Sequence, residues 1–377
     1  MEGTGVSPDP ETARLSAIGE ALERYCSAAP AHCFQLVRAP FSDLEDEALH
    51  PRFVALLSEQ QYRRFPALAP LTERKVIDWS WAFSLTRERP VLVPASLVHF
   101  SCVGRGPNNF LPELSTTGLA CHVDLSQAIL AGVCEVLERD ALAIWWHNRL
   151  PLVPLDVAGT DAAELLAGPL AASGAEFSLF GLPTDTRLPV VLAVARTRDA
   201  WPHAVVGCAC RENPVAAASR ALCEAAQMLF RQRRRPSRRL SSIRSFNDHA
   251  DFYGGAEGAG LLDQILSPLE RPAHLSTLSV SNRHALGDDG LKRLDTVLSR
   301  VARAGLEVLV ADMTTEDVAL AGFFVVRVIV PGTVDMSADE RYPRLGARRL
   351  YELPAHLGLR VEPATESELN LLPVPLA

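Results

Sequence analysis

The chain has 377 residues, 48% of them hydrophobic, which is ample for a substantial core in one large domain or two or three ordinary ones. A formal net charge of −8 argues against general nucleic-acid binding by the whole molecule. No N-terminal stretch joins basic residues to an apolar run, and the most apolar segment, Phe323 to Val330, is short and broken by Arg327, so neither a signal peptide nor a membrane span is predicted. The eight cysteines have no regular spacing, and Cys26, Cys134 and Cys223 fall inside helical patterns, as reduced buried residues do. A cytoplasmic protein is expected.

In chain order, residues 1–10 read as a flexible, turn-prone start, and Glu11 to Cys26 as a helix. Ser16, Glu20 and Glu23 fall on a single stripe of that helix, with Arg24 beside them. A second helix is predicted from His50 to Arg64. Between Lys75 and Cys102 the pattern turns strand-like, with VIDWSWAFSL and VLVPASLVHF separated by TRERP. Gly104 to Gly118 reads as a loop leading into the stretch that organises the chain, Gly118 to Arg149.

Within that stretch Ile129, Val133, Val136, Leu137, Ala141, Ile144 and Trp145 recur at helical spacing, so the helix should enter a core. Glu135 and Glu138 nevertheless lie three apart on one side of it, followed by Arg139 and Asp140. Acids sit that deep only when something cationic pairs with them. Glu20, Glu23 and Arg24 repeat the same ExxER pattern, so the two helices read as two halves of one charged site.

Beyond Arg149 a helix at Asp161–Ala172 precedes strands at Phe177–Leu182, Val190–Ala195 and Ala204–Ala209. Helices at Pro214–Arg231 and Gly290–Ala304 and strands at Glu307–Ala311 and Phe323–Val330 follow. The alternation predicts a single mixed α+β domain with helices covering sheets. Residues 231–260, holding an arginine-rich run and the glycine-rich Gly254 to Gly260, read as a mobile loop. The functional alternative is a loop that folds over phosphates or an acidic peptide.

The common nucleotide signatures GxxxxGK[ST] and GxGxxG are missing. Zinc does not suit the spacing of Cys208 and Cys210 or the isolated Cys121-His122 pair. His122 and His147 read as structural, and no GxSxG elbow supports a serine nucleophile. Carboxylates remain: the two ExxER helices, Glu224 with Gln227, and Glu340 with Arg344. Several glutamates suit Mg²⁺ bridging to phosphates, with Arg24, Arg139 and Arg344 as phosphate grips. The competing reading is a buried Glu–Arg network that only holds helices together.

Ser16-xxx-Glu20-xx-Glu23-Arg24, Gly118-Leu-Ala…Glu135-xx-Glu138-Arg139-Asp140-Ala141, Arg220-Ala-Leu-Cys-Glu224-Ala-Ala-Gln227 and Glu340-xxx-Arg344 together resemble, in order, the ATP-binding motifs of the YcaO family. The likeness runs from about residue 11 to the C-terminus. It implies ATP-dependent phosphorylation of a peptide amide oxygen and, in the heterocyclase branch, conversion of Cys, Ser or Thr to thiazoline or oxazoline in a ribosomal precursor peptide. It also implies that Glu20, Glu23, Glu135 and Glu138 hold Mg²⁺. Ser16, Arg24, Arg139, Glu224, Gln227, Glu340 and Arg344 would join the first four in lining the nucleotide pocket.

The tail from Asn370 resembles the proline-rich end of heterocyclases, which reaches the active site. Pro373 and Pro375 would stiffen it, and Ala377 stands where the family has proline, with its carboxylate as a proton acceptor. The first ExxER helix begins almost at Met1 and no E1-like domain is fused to it. A separate E1-like, leader-binding partner and a flavin-dependent azoline dehydrogenase are therefore expected, with no nucleic acid and no membrane. The rival readings are a thioamide-forming YcaO enzyme using an external sulfur donor, a non-catalytic nucleotide-binding scaffold, and an RNA-binding module built on the arginines.

Overall fold

The structure, a computed structural model, describes residues 3–7, 9–30, 34–54, 56–104, 106–238, 240–266, 269, 271–278 and 289–376. Helix α1 (Pro10–Ser27) starts where Asp9 accepts a hydrogen bond from the Thr12 backbone N–H and Pro10 presets the first turn. There follow β1 (Leu36–Ala39), α2 (Glu59–Arg64), β2 (Ile77–Ser84), β3 (Arg89–Pro94) and β4 (Leu119–His122). The long α3 (Leu125–Asn148) leads to β5 (Val153–Asp156), α4 (Asp161–Ala167), β6 (Glu176–Gly181), β7 (Val190–Arg196) and β8 (Ala204–Cys210). The chain continues through α5 (Pro214–Arg233), α6 (Phe246–Gly254), α7 (Ala256–Ile265), β9 (Ala273–His274) and α8 (Gly290–Arg303). It closes with β10 (Leu309–Asp312), α9 (Glu316–Leu320), β11 (Phe324–Ile329) and α10 (Arg348–His356).

The strands form two sheets, one ordered β1-β2-β10-β11-β4 with β3 also on β2, the other β8-β7-β6-β5-β9. All pairings are antiparallel except that of β5 with β9. This is the mixed α+β architecture expected. Helix α3 packs on β4 and β11 of the first sheet and on β8 of the second. Apolar residues therefore surround it almost completely, as befits a helix buried between two layers.

Strand β8 places the two halves of the core by its period of two. Ala204, Val206, Cys208 and Cys210 join the core around α3, whereas Val205 and Ala209 join the core around Ala217, Ala221 and Ala225 of α5. Gly207 makes the second contact possible: a Cβ there would lie 2.3 Å from the Ala225 backbone nitrogen. Helices α3 and α5 thus sit on opposite faces of the strand that ends the second sheet.

Four expectations need correction. Leu119–His122 is strand rather than the start of the long helix, because its backbone pairs with Phe324–Arg327. The helix expected over His50–Arg64 reduces to a single 3₁₀ turn at Pro51–Phe53 and the short α2, capped by Ser58. Residues 3–7 of the expected flexible start pack against α1. Residues 246–254 and 256–260 of the expected mobile loop 231–260 fall in α6 and the first half of α7; Ser245 caps α6, and Gly258 lacks a Cβ that would meet the Phe252 carbonyl oxygen at 2.1 Å. Cys26, Cys121, Cys134, Cys208, Cys210 and Cys223 are free thiols, and no helix among the described residues is long and apolar enough to cross a membrane.

Candidate active site

The two ExxER helices pack against β4, and backbone N–H groups within and just before that strand orient their acids. The Cys121 N–H donates to Glu23 Oε1 at 2.8 Å and the Gly118 N–H donates to Glu135 Oε2 at 3.2 Å. Gly118 has φ +81° and a Cβ there would lie 2.2 Å from the Val328 carbonyl oxygen, so only glycine serves at this position. Glu20 accepts from the Thr4 backbone N–H at 2.5 Å, from Thr4 Oγ1 at 2.7 Å and from Arg24 Nη2 at 2.5 Å.

Arg139 lies between the acids of α3, its Nη2 3.6 Å from Glu135 Oε1 and its Nε 3.2 Å from Glu138 Oε1. The second contact is short enough for an ion pair but its angle makes no hydrogen bond, so Glu138 Oε1 and Arg139 Nε are buried with bonding capacity unused. From α5, Glu224 accepts from Arg220 Nε at 2.8 Å, and Arg220 Nη1 reaches the Val6 carbonyl at 3.3 Å.

Electrostatics tie the five acids together. Burial, reinforced by the Glu135 charge, pushes the Glu23 carboxyl up to about 8. Burial also raises Glu135 and Glu138, against the pull of Arg139; Glu224 repels both, and Glu135 repels Glu138 as well. The half-buried Arg139 is held charged by Glu138, Glu135 and Glu224 in spite of its partial desolvation. Half-buried Arg211, after β8, feels Glu138 and Glu224 as well. Packing several like charges together without a full set of counter-charges is costly, and a divalent cation would relieve it.

The structure unites Glu20, Glu23, Arg24, Glu135, Glu138, Arg139 and Glu224, but not every expected site residue. Ser16 bonds its own helix, with Oγ donating to the Thr12 carbonyl at 2.9 Å. Gln227 lines a groove beside the cluster. Glu340 has an exposed side chain with no polar contact among the described residues. Arg344 is buried beside Glu113, donating to its carbonyl at 2.8 Å, with Nε and Nη1 unpaired. Pro373 and Pro375 are buried in a tail held by Tyr253, which donates to the Pro373 carbonyl at 2.5 Å, and by His249, whose Nδ1 is 2.8 Å from the Val374 carbonyl oxygen. Ala377 lies outside the described residues.

Sequence reading missed Thr4, Arg211 and the backbone N–H groups of Gly118 and Cys121, and quoted Arg220 in its motif without giving it a role. Arg220 at i−4 from Glu224 was a readable signal; the others depend on tertiary contacts. Among the described residues no three acids close a coordination sphere of their own.

The chain matches the YcaO family, described as YcaO cyclodehydratase, ATP- and Mg²⁺-binding, over residues 3–334, and it belongs to that family. It is 29% identical over 372 residues to an uncharacterized protein in the tfuA 3′ region of Rhizobium leguminosarum bv. trifolii, covering 92% of this chain and 80% of the relative. Among solved structures it resembles a heterocyclase in complex with substrate and cofactor, with TM-score 0.83 and 25% identity over 99% of this chain. It spans only 49% of that heterocyclase's length. It also resembles the YcaO protein of Methanopyrus kandleri bound with AMPPCP and Mg²⁺, with TM-score 0.66 and 26% identity, covering 88% of this chain and 78% of that one. ATP and Mg²⁺ are the family's cofactors, and the buried, cation-deficient acids fit them.

Proposed function

We propose that the protein is an ATP- and Mg²⁺-dependent cyclodehydratase that acts on backbone amides of a ribosomal precursor peptide and converts Cys, Ser or Thr residues to thiazoline or oxazoline. The observation that carries this reading is the buried acid cluster at β8 and β4, with Glu138 Oε1 and Arg139 Nε left without hydrogen bonds. An ion-pair network that served only to join helices would close those bonds.

Glu20, Glu23, Glu135 and Glu138 would hold Mg²⁺, with Glu224 across the site. When bound, Mg·ATP supplies the phosphoryl group that carries away the amide oxygen. Arg24, Arg139 and Arg220 would neutralise phosphate oxygens, Arg139 being flanked by two acids of its own helix. The protein's contribution is position and charge, as phosphoryl transfer requires. Ser16, Gln227, Glu340 and Arg344 remain in the proposal as nucleotide-pocket residues. Pro373 and Pro375 remain as supports for the tail ending at Ala377. An E1-like, leader-binding protein and a flavin-dependent dehydrogenase are the proposed partners.

The test is to incubate the protein with a candidate precursor peptide, Mg·ATP and a leader-binding partner, and to follow peptide mass and phosphate together. Loss of one water per modified residue with matching phosphate release is expected. A mass gain corresponding to exchange of oxygen for sulfur, dependent on a sulfur donor, would replace cyclodehydration with thioamide formation. ATP binding without any mass change would leave the scaffold reading.

A further inference from the structure

A cavity of about 730 Å³ runs along the C-terminal half of α5, walled by residues 4–7 and by the segment around α4. Its floor is apolar, with Leu165, Leu170, Ala226 and a half-exposed Phe230, and its far end carries Arg231, Arg234 and Arg235. The α5 residues that line it span Cys223 to Arg231, a rise of about 12 Å, the length of three or four residues of extended chain, and Arg234 and Arg235 continue the lining past the helix end. The stripe thus matches a short peptide strand rather than a single ion.

The arginines at its end have little to neutralise them. Arg231 donates to the neutral Asn247 Oδ1 at 2.7 Å, and Arg234 has no acidic partner among the described residues. The facing acids lie on α6: Asp251 is 3.4 Å from Arg235 but 2.7 Å from Arg238, and Asp248 is 3.0 Å from Arg238. A chain of net charge −8 therefore concentrates uncompensated positive charge beside an apolar trough. Residues 4–7 separate the trough from the acid cluster, for Thr4 bonds Glu20 and the Val6 carbonyl accepts from Arg220.

We propose that this groove docks an extended acidic segment of the peptide substrate, its apolar side chains on the Phe230 floor and its carboxylates on Arg231 and Arg234. The assignment rests on the peptide-modifying reading above and adds a binding site that adjoins the nucleotide pocket at Gln227 and extends away from it toward Arg234. Alternation of apolar and acidic side chains along an extended strand would present one face to each surface. RNA would call for several stacking aromatics, whereas Phe230 is the only aromatic among the lining residues.

The test uses the full chain and a fluorescein-labelled decapeptide alternating Glu and Leu, with a Lys/Leu peptide as control, followed by fluorescence anisotropy without nucleotide. The Glu/Leu peptide should bind, more weakly as salt rises, and R231E/R234E should weaken it tenfold or more. R198E, at an exposed arginine outside the groove, should leave it unchanged. The neutral pair R231Q/R234Q, checked for an unchanged thermal melt, gives the same reading should charge reversal disturb folding. Equal binding by wild type and both variants would overturn the proposal. So would a tenfold loss of Mg·ATP affinity with peptide binding intact, which would give the arginines to the nucleotide. Preference for single-stranded RNA, abolished by the same substitutions, would also overturn it. Failure of the wild type to bind Mg·ATP would instead count against the acid cluster, because the peptide measurement contains no nucleotide.

Discussion

Two charged regions share helix α3, and they are built in opposite ways although Glu138 and Asp140 are only two residues apart. Asp140 faces a closed network. Its Oδ2 takes Arg349 Nε at 2.8 Å, its Oδ1 takes the Val334 N–H at 2.9 Å, and Arg349 binds Asp185 with Nη1 at 2.7 Å and Nη2 at 2.5 Å. Glu138 faces an open one: its Oε1 makes no hydrogen bond and its nearest cation is shared with Glu135. Complete pairing marks a group whose task is to hold α10 against α3. Incomplete pairing at equal burial marks a group awaiting a ligand.

The largest effect should come from breaking the closed network. Arg349→Ala leaves Asp140 buried without its cation, and a stability loss of about 3–5 kcal/mol is expected. Denaturant unfolding would measure it. A loss under about 1 kcal/mol would erase the contrast between the two regions.

The open network should respond the other way. Glu135→Gln removes a charge that burial already disfavours, so stability should hold within about 1 kcal/mol or rise. Turnover of ATP should fall by about a hundredfold or more, since a cation ligand and a brace for Arg139 are lost together. Near-normal turnover with intact folding would remove Glu135 from the cation site.

The sequence made one half of this contrast plain and hid the other. ExxER on α1 and α3 announced acids on apolar helices, and Glu224 was joined to them through the motif that resembles the YcaO family. Local patterning suffices there, because helical spacing decides which side chains share a face. Asp140 stands in the same motif yet belongs to the structural network, and nothing local separates it from Glu138. The distinction lies with Arg349 and Asp185, distant in sequence. Arg344 shows the same limit: its spacing from Glu340 was legible, but its seat beside Glu113 depends on how two loops meet. The loop reading failed over residues 246–260 because glycines there allow close helix packing.

The contrast sharpens further with pH. In the folded protein without a cation, Glu23 keeps its proton up to about 8, whereas the unfolded chain releases it near 4.5. Between those values the folded state binds the extra proton, so the Glu23 contribution to stability falls as pH rises through this window. A cation needs the carboxylate, so Mg²⁺ binding must expel that proton, and affinity should climb over the same window and level off above it. From about pH 7 to pH 8, Mg²⁺ affinity in the presence of nucleotide should tighten several-fold beyond the nucleotide's own pH dependence, up to about tenfold for one proton. Calorimetry in buffers of different ionisation enthalpy would register the proton directly. Glu23→Gln should abolish the release, whereas the closed network around Asp140 contributes nothing to it because Arg349 already supplies its charge. Proton release unchanged in that variant would detach Glu23 from the cation and leave its raised carboxyl a matter of packing alone.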